Sequence, residues 1–277
     1  MATKDYTAIT ASDGTVLRHP NRPAPRYNPM RAWKNFRLLM KDKEDTSLVF
    51  KIYESLPSKD FMPRVESLAL SERGETLRRT EPSLPEILDD HATLRQTPKG
   101  SLAHAYCDFM ESEGLSAAGL VAESDRLGRP KYDDVVQWFG DRSRDTHDLF
   151  HVLTGYGRDA LGEQCVLLFT YGQSPTQGHL LIGYAGSLNI KAQIRGSNAP
   201  VMGAANQAKR TGRGAPRRLE QSIRDLLKQP VEDVRRALNI PEPTLYKECH
   251  RIWRSEGIDP YNLLASESAH EEEALAA

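Results

Sequence analysis

His147 and His151 stand four residues apart in DRSRDTHDLFHVLTGYGRDALGE, residues 141–163. On a helix that spacing points both imidazoles off one face. Asp148 adjoins the first His, and Glu163 follows the second by twelve residues. Two neutral imidazoles and two carboxylates make a plausible ligand set for one divalent metal ion. In a chain with eight His the pair alone is a weak signal. The ordinary alternative is a pair of core histidines bonded to Asp148 and backbone carbonyls.

The elements that must position these side chains follow from local signals. Leu149, Phe150, Val152 and Leu153 fill the gaps between the polar residues, so the helix is expected to be mostly buried. Buried charge needs a partner, because leaving it unpaired is expensive. Asp145 or Thr146 can cap the helix, and Gly155 and Gly157 mark its end and a tight turn. Asp159 can cap a second helix that runs into the apolar QCVLLF. Glu163 then falls in the first turn of the returning helix, from where it can reach back to His147 and His151.

The chain has 277 residues, of which 39% are hydrophobic and 27% charged, with a net charge of -1. That length buries one sizeable core or two small ones. Near-neutral charge argues against a general nucleic-acid binder. Cys107, Cys165 and Cys249 are odd in number and far apart, which points to a reducing compartment rather than a disulfide framework or a Cys-based zinc site. The sequence shows neither an apolar run of spanning length nor a secretory pattern.

In chain order, helical periods dominate and β-branched alternation is scarce, so the expected fold is all-α: a single multi-helix domain with an apolar slot. Residues 1–28 carry no sustained period and are expected to be a loosely ordered arm. Residues 29–262 form the helical domain, and the acidic 263–277 a disordered tail. Helices are expected over Met30–Lys41, Thr46–Leu56, Arg64–Leu70, Pro85–Asp89, Leu102–Glu113 and Tyr132–Phe139, with Gly140 separating the last from the histidine segment. Cys165–Tyr171 and His179–Ile190 are strongly apolar. The small residues of the second permit close packing or leave room for a long apolar ligand. His179 is a candidate for supporting a metal ligand, although a lone His is more often structural.

From Gln164 to Leu219 there is no Asp or Glu. Lys191, Arg195, Lys209, Arg210, Arg213, Arg217 and Arg218 make this stretch basic, suited to an anionic membrane surface, an anionic substrate group or an acidic partner. Its middle, RGSNAPVMGAANQAKRTGRGAPRR, reads as loop. Leu219–Lys228, Val231–Leu238 and Pro243–Glu256 read as the closing helices.

HDLFHVLTGYGRDALGE resembles the HDxxH-x11-E signature of the ubiquinone (coenzyme Q) biosynthesis family. The likeness includes the preceding DRSRDT, the TGYG turn and the downstream LLKQPVEDVRRALNIPEP. It runs from about Leu102 to Pro260, and more loosely back to Asn28. The resemblance implies that His147, Asp148, His151 and Glu163 are metal ligands at the catalytic site, with Zn2+ expected and Fe2+ or another divalent ion as the alternative. It also implies an α-helical protein peripheral to a membrane, without nucleic acid, that acts on a polyprenylated quinone precursor and organises the other ubiquinone biosynthesis enzymes. The step is decarboxylation with hydroxylation at ring C1. With no recognisable mitochondrial presequence, a bacterial-type member on the cytoplasmic side of the inner membrane is expected; homo-oligomerisation is left open.

Asp145, Arg142 and Arg144 are candidates for supporting the ligands, against the simpler reading of salt bridges. A second functional reading keeps the lipid slot and makes the ion a structural staple in a non-catalytic scaffold. A hydrolase reading is weaker: HDLFH looks like HExxH only superficially, because Asp148 is a methylene shorter than the Glu base of that motif.

Overall fold

Side-chain caps punctuate this chain. Asn28, Asp45, Ser71, Asp90, Ser101, Ser116, Asp134, Asp159, Thr176 and Ser222 each accept a hydrogen bond from a backbone N–H in the first turn of the helix that follows. Each satisfies a donor that the helix itself cannot. The resulting architecture is that of a computed structural model describing residues 4–41, 45–217 and 220–263. Among the described residues there is no strand, only two isolated bridges, as the periodicity predicts.

The helices are α1 (Pro29–Leu39), α2 (Thr46–Ser55), α3 (Phe61–Ala69), α4 (Glu72–Thr80), α5 (Pro85–Leu88), α6 (His91–Leu94), α7 (Leu102–Ser112) and α8 (Ala117–Asp125). They continue with α9 (Val135–Asp145), α10 (His147–Thr154), α11 (Ala160–Gln173), α12 (Gln177–Gln193), α13 (Val201–Gly214), α14 (Ile223–Leu227), α15 (Val231–Ala237) and α16 (Thr244–Ser255). The acidic tail from residue 264 onward, together with Arg218 and Leu219, lies outside the described residues.

The core is built around α11. Leu161, Cys165, Val166, Leu168 and Phe169 are buried, which needs neighbours on nearly every side. α12 and α13 supply two of them. α13 comes so near that a Cβ on Gly212 would collide with the backbone carbonyl of Phe169. This corrects the loop reading of RGSNAPVMGAANQAKRTGRGAPRR: its middle is a 14-residue helix. Its buried stripe is Val201, Ala204, Ala205, Ala208 and Gly212, small side chains that let two backbones approach. α9 also departs from expectation, because Gly140 lies inside it and the helix runs on to Asp145. A Cβ on Gly140 would meet nothing within 4 Å, so the glycine marks no packing constraint.

α10 is held from three directions. Every residue from Asp148 to Thr154 is buried, with α7, α11 and α15 packed around it. Its C-terminus closes at Gly155, whose φ of 71° suits a residue without a Cβ. Arg235 donates to the carbonyls of Val152 at 2.8 Å and Leu153 at 3.0 Å, supplying both partners and positive charge where the helix dipole is negative. At the other end Thr146 makes no side-chain cap; its hydroxyl instead donates back to the carbonyl of Arg142.

Two smaller clusters flank the core. α1 and α2 lay Phe36, Leu39 and Ile52 against Leu167 and Ile182 of α11 and α12. The N-terminal segment, without a period of its own, inserts Ala11 and Leu17 among Val65, Leu68, Val135 and Phe139. Leu17 is fully buried. Asp134 ties this strap down, accepting from His19 N at 2.7 Å, from Arg22 Nε at 2.8 Å and Nη2 at 2.6 Å, and from Gln137 N at 2.7 Å.

Burial works against a charged Asp134, but Arg22 and these backbone donors outweigh it and hold the carboxyl below its ordinary value. A depressed carboxyl stabilises the fold above its unfolded pKa, and the contribution is lost as pH falls through the lower folded value. Asp134→Asn should therefore cost about 1–3 kcal/mol near neutrality. It should also flatten the acid limb of the stability curve, as urea unfolding at a series of pH values would show.

Candidate metal centre

The glycine turn brings the chain back as the spacing predicts. Asp159 caps α11 through the N–H groups of Leu161 and Gly162, which sets Glu163 in its first turn. One oxygen of Glu163 then lies 3.4 Å from His147 Nε2 and 3.6 Å from His151 Nε2, and the two Nε2 atoms are 3.4 Å apart. Ligands about 2.1 Å from a tetrahedral ion stand roughly 3.4 Å from one another. The three atoms are thus spaced like one face of a coordination tetrahedron.

The tautomer of His151 agrees with that geometry. Its Nδ1 lies 3.0 Å from the carbonyl of Tyr156 and 3.2 Å from that of Gly157. Carbonyls only accept, so Nδ1 carries a hydrogen, which would leave Nε2 to serve an ion held among the three groups. Phe109 stacks on the ring with planes 14° apart, fixing its tilt. The turn is braced from α16: the Tyr246 hydroxyl donates to Asp159 and accepts from Gly157 N. Tyr246 is a residue that no pattern near the motif could reveal, being 95 residues from His151.

Burial disfavours charge on Glu163, yet His151, with His147, overcomes it and drives the carboxyl far below its usual range. Burial likewise opposes a charged His151, but Glu163 prevails and raises the imidazole above its ordinary value. Three groups crowd into a space that draws a positive charge, which a proton or a cation can satisfy. The donor set fits a divalent ion of intermediate softness such as Zn2+ or Fe2+.

Asp148 stands outside this group of converging ligand atoms. It is buried and adds a negative field at His151, but one residue along a helix does not share a face with its neighbour. Asp148 nevertheless lines the same cleft as His147 and Glu163.

The supporting residues expected from sequence are differently employed. Arg142 forms a buried ion pair with Glu81 at 2.7 Å. Arg144 pairs with Asp145 at 2.7 Å and Asp141 at 3.0 Å. His179 contacts the Thr176 hydroxyl at the start of α12 and packs on Tyr53 with centroids 4.6 Å apart. Unforeseen was Arg158, whose Nε lies 3.7 Å from Glu163 at the edge of the site, with 37% of its side chain exposed.

The site opens into a cleft of about 2030 Å3. Phe50 and Tyr53 of α2, Leu167 of α11 and Ile182 of α12 are among its lining residues, with His147 and Glu163. Small residues of α12 are spent on packing instead: a Cβ on Gly183 would strike Leu168, and one on Gly186 would strike Gln164. α2, α11 and α12, packed on one another, thus contribute part of the cleft's apolar lining.

The sequence pattern of the family described as coenzyme Q (ubiquinone) biosynthesis protein Coq4 matches residues 43–244. The chain belongs to that family. Among its relatives is a bovine mitochondrial ubiquinone biosynthesis protein, a COQ4 homolog, 26% identical over 175 residues; the match covers 63% of each chain. A mitochondrial ubiquinone biosynthesis protein of Aspergillus fumigatus is 22% identical, with 92% of both chains covered. The fold matches the crystal structure of a Nostoc punctiforme protein described as a ubiquinone biosynthesis protein, with a TM-score of 0.57 and 18% identity over 78% of this chain and 100% of the other. Among the described residues no helix is long and apolar enough to cross a membrane.

Proposed function

We propose that the protein carries out decarboxylation with hydroxylation at ring C1 of a polyprenylated 4-hydroxybenzoate-type intermediate in ubiquinone biosynthesis. The observation that carries this reading is the triangle of His147, His151 and Glu163, spaced for one ion, with His147 and Glu163 in the wall of a partly apolar cleft. Catalytic ions keep one position free, whereas structural ions are enclosed. An ion held there with a position free toward the cleft would favour chemistry over the scaffold reading.

A divalent ion held there would act as a Lewis acid toward the carboxylate and phenolate of the ring. Zinc cannot change oxidation state, so installing the hydroxyl calls for an oxidant such as dioxygen, used at iron in this site or elsewhere. The chain's own residues bind and orient. His151 is held in one tautomer by the Tyr156 and Gly157 carbonyls, and Phe50, Leu167 and Ile182 provide apolar wall for the prenyl chain. Arg158, beside Glu163 and half exposed, is placed to pair with the substrate carboxylate. The same reading puts the protein on the cytoplasmic side of a bacterial inner membrane, organising the other ubiquinone enzymes.

The test is turnover of a polyprenyl 4-hydroxybenzoate by metal-loaded protein, with bound metal measured alongside. Arg158→Ala should raise KM by about tenfold, the equivalent of about 1.4 kcal/mol, and leave metal content unchanged. Turnover unaffected by stripping the metal would refute the proposal.

A further inference from the structure

α1 is two-faced in an unusual way. Its inner face is Ala32, Asn35, Phe36 and Leu39, all buried against α2. Its outer face should be polar, yet Met30 is 83%, Trp33 52% and Leu38 43% exposed, and Tyr27 just before it is 62% exposed. Four of the seven large hydrophobic side chains exposed among the described residues fall within these twelve positions. A cluster of that kind marks a contact surface, where scattered single residues would not.

Charge identifies what the surface contacts. From Gly14 to Lys41 there is no Asp or Glu, while Arg18, Arg22, Arg26, Arg31, Lys34, Arg37 and Lys41 are spread along the stretch. Met30, Trp33, Lys34, Arg37, Leu38 and Lys41 line one shallow surface depression. Among the described residues Lys34, Arg37 and Lys41 have no ion-pair partner. A second copy of the chain is a poor occupant, because a two-fold contact would set these cations against themselves. An anionic bilayer suits the face on both counts: apolar side chains enter the acyl boundary, and long basic side chains extend to the headgroups. Trp33 is of the type that favours such an interface.

We propose that the outer face of α1, with Tyr27 before it, docks the protein on an anionic lipid bilayer. Arg31, Leu39 and Met40, on or beside the same helix, line the cleft that leads to Glu163. Docking through α1 therefore brings the mouth of that cleft to the lipid surface. There a long apolar substrate can pass from bilayer to protein without crossing water. On α12, Leu188 continues the line of Leu181 and Ala185, which pack on the α1–α2 cluster; it is 55% exposed and extends the apolar surface. The inference stands on the surface alone and does not depend on the metal reading.

Sedimentation of the full chain with vesicles tests it, comparing phosphatidylcholine alone with phosphatidylcholine containing phosphatidylglycerol. Wild type should partition onto the anionic vesicles and be released as salt rises. A Lys34→Glu, Arg37→Glu, Lys41→Glu triple variant should bind about 100-fold less, and Trp33→Ser with Met30→Ser should also bind less. Both variants should keep wild-type circular dichroism, bound metal and turnover of detergent-solubilised substrate. Glu163→Gln should bind vesicles normally, which separates this proposal from the one about chemistry. Equal partitioning of wild type and the triple variant would overturn it. So would absence of vesicle binding together with a concentration-dependent dimer, or an acidic protein partner, that the triple variant loses.

Discussion

If His147, His151 and Glu163 hold the proposed ion, Glu163→Gln is expected to abolish its binding while leaving the fold in place. The exchange keeps the side chain's shape and removes the anionic oxygen that faces both imidazoles at 3.4 and 3.6 Å. Losing a mere outer partner of a ligand already costs about 10–100-fold in metal affinity, so losing one of three ligands should cost at least about 100-fold. Turnover should fall in step with occupancy. The fold should survive, because His151 keeps its donation to the Tyr156 and Gly157 carbonyls and a neutral imidazole buries at little cost. Metal analysis after gel filtration and a thermal melt are the two measurements; full metal with full turnover would end the proposal.

The same substitution has a signature in pH. In wild type, burial opposes protonation of His151 but Glu163 raises its pKa above the ordinary imidazole value. An ion at the proposed site needs the neutral ring, so its binding should be complete above that raised pKa and lost as pH falls through it. Without the Glu163 anion, burial acts with less opposition and the imidazole pKa drops. Residual metal binding by Glu163→Gln should therefore persist to lower pH than in wild type, although it is far weaker at every pH.

What the sequence makes legible here is local. Spacing of four on an apolar helix, a glycine turn and Asp159 as a cap are enough to bring Glu163 home, because each element obeys short-range rules. Asp148, next to His147 in sequence, lies outside the three converging ligand atoms yet lines the same cleft, and spacing alone does not say which of the two to expect. α13 was unreadable for another reason. Beyond Val201 its buried stripe is alanine and glycine, which carry little hydrophobic signal, and its position depends on the close approach of α11. Arg158 and Tyr246 act across the turn and across the fold, so only the assembled tertiary structure shows them. The N-terminal strap is likewise invisible to periodicity, since a few apolar anchors and Asp134 hold it.

Glu81→Ala should be among the most destabilising single substitutions away from the site. Glu81 lies at the C-terminal end of α4, and its oxygens accept from Arg142 Nη1 at 2.7 Å, the Ser222 hydroxyl at 2.8 Å and Arg224 N at 2.9 Å. Its side chain is 0% exposed and that of Arg142 1%. Burial pulls the Arg142 guanidinium below its ordinary pKa while Glu81 opposes that pull. Removing Glu81 takes the carboxylate from a buried Arg142, which keeps its donation to the Gln221 carbonyl and its place over the Trp138 ring, and leaves the Arg224 N–H at the start of α14 without its acceptor. Breaking such a pair costs about 3–5 kcal/mol, a large part of the roughly 5–15 kcal/mol that keeps a domain folded. For a chain of this size that corresponds to a melting temperature lower by roughly 6–20 °C. Combining Glu81→Leu with Arg142→Met should recover most of the loss, since apolar replacement of both partners removes the stranded charge along with the attraction. A melt within about 2 °C of wild type for Glu81→Ala would show that Arg142 is stabilised from elsewhere, and would remove this pair as the clamp between α4, α9 and α14.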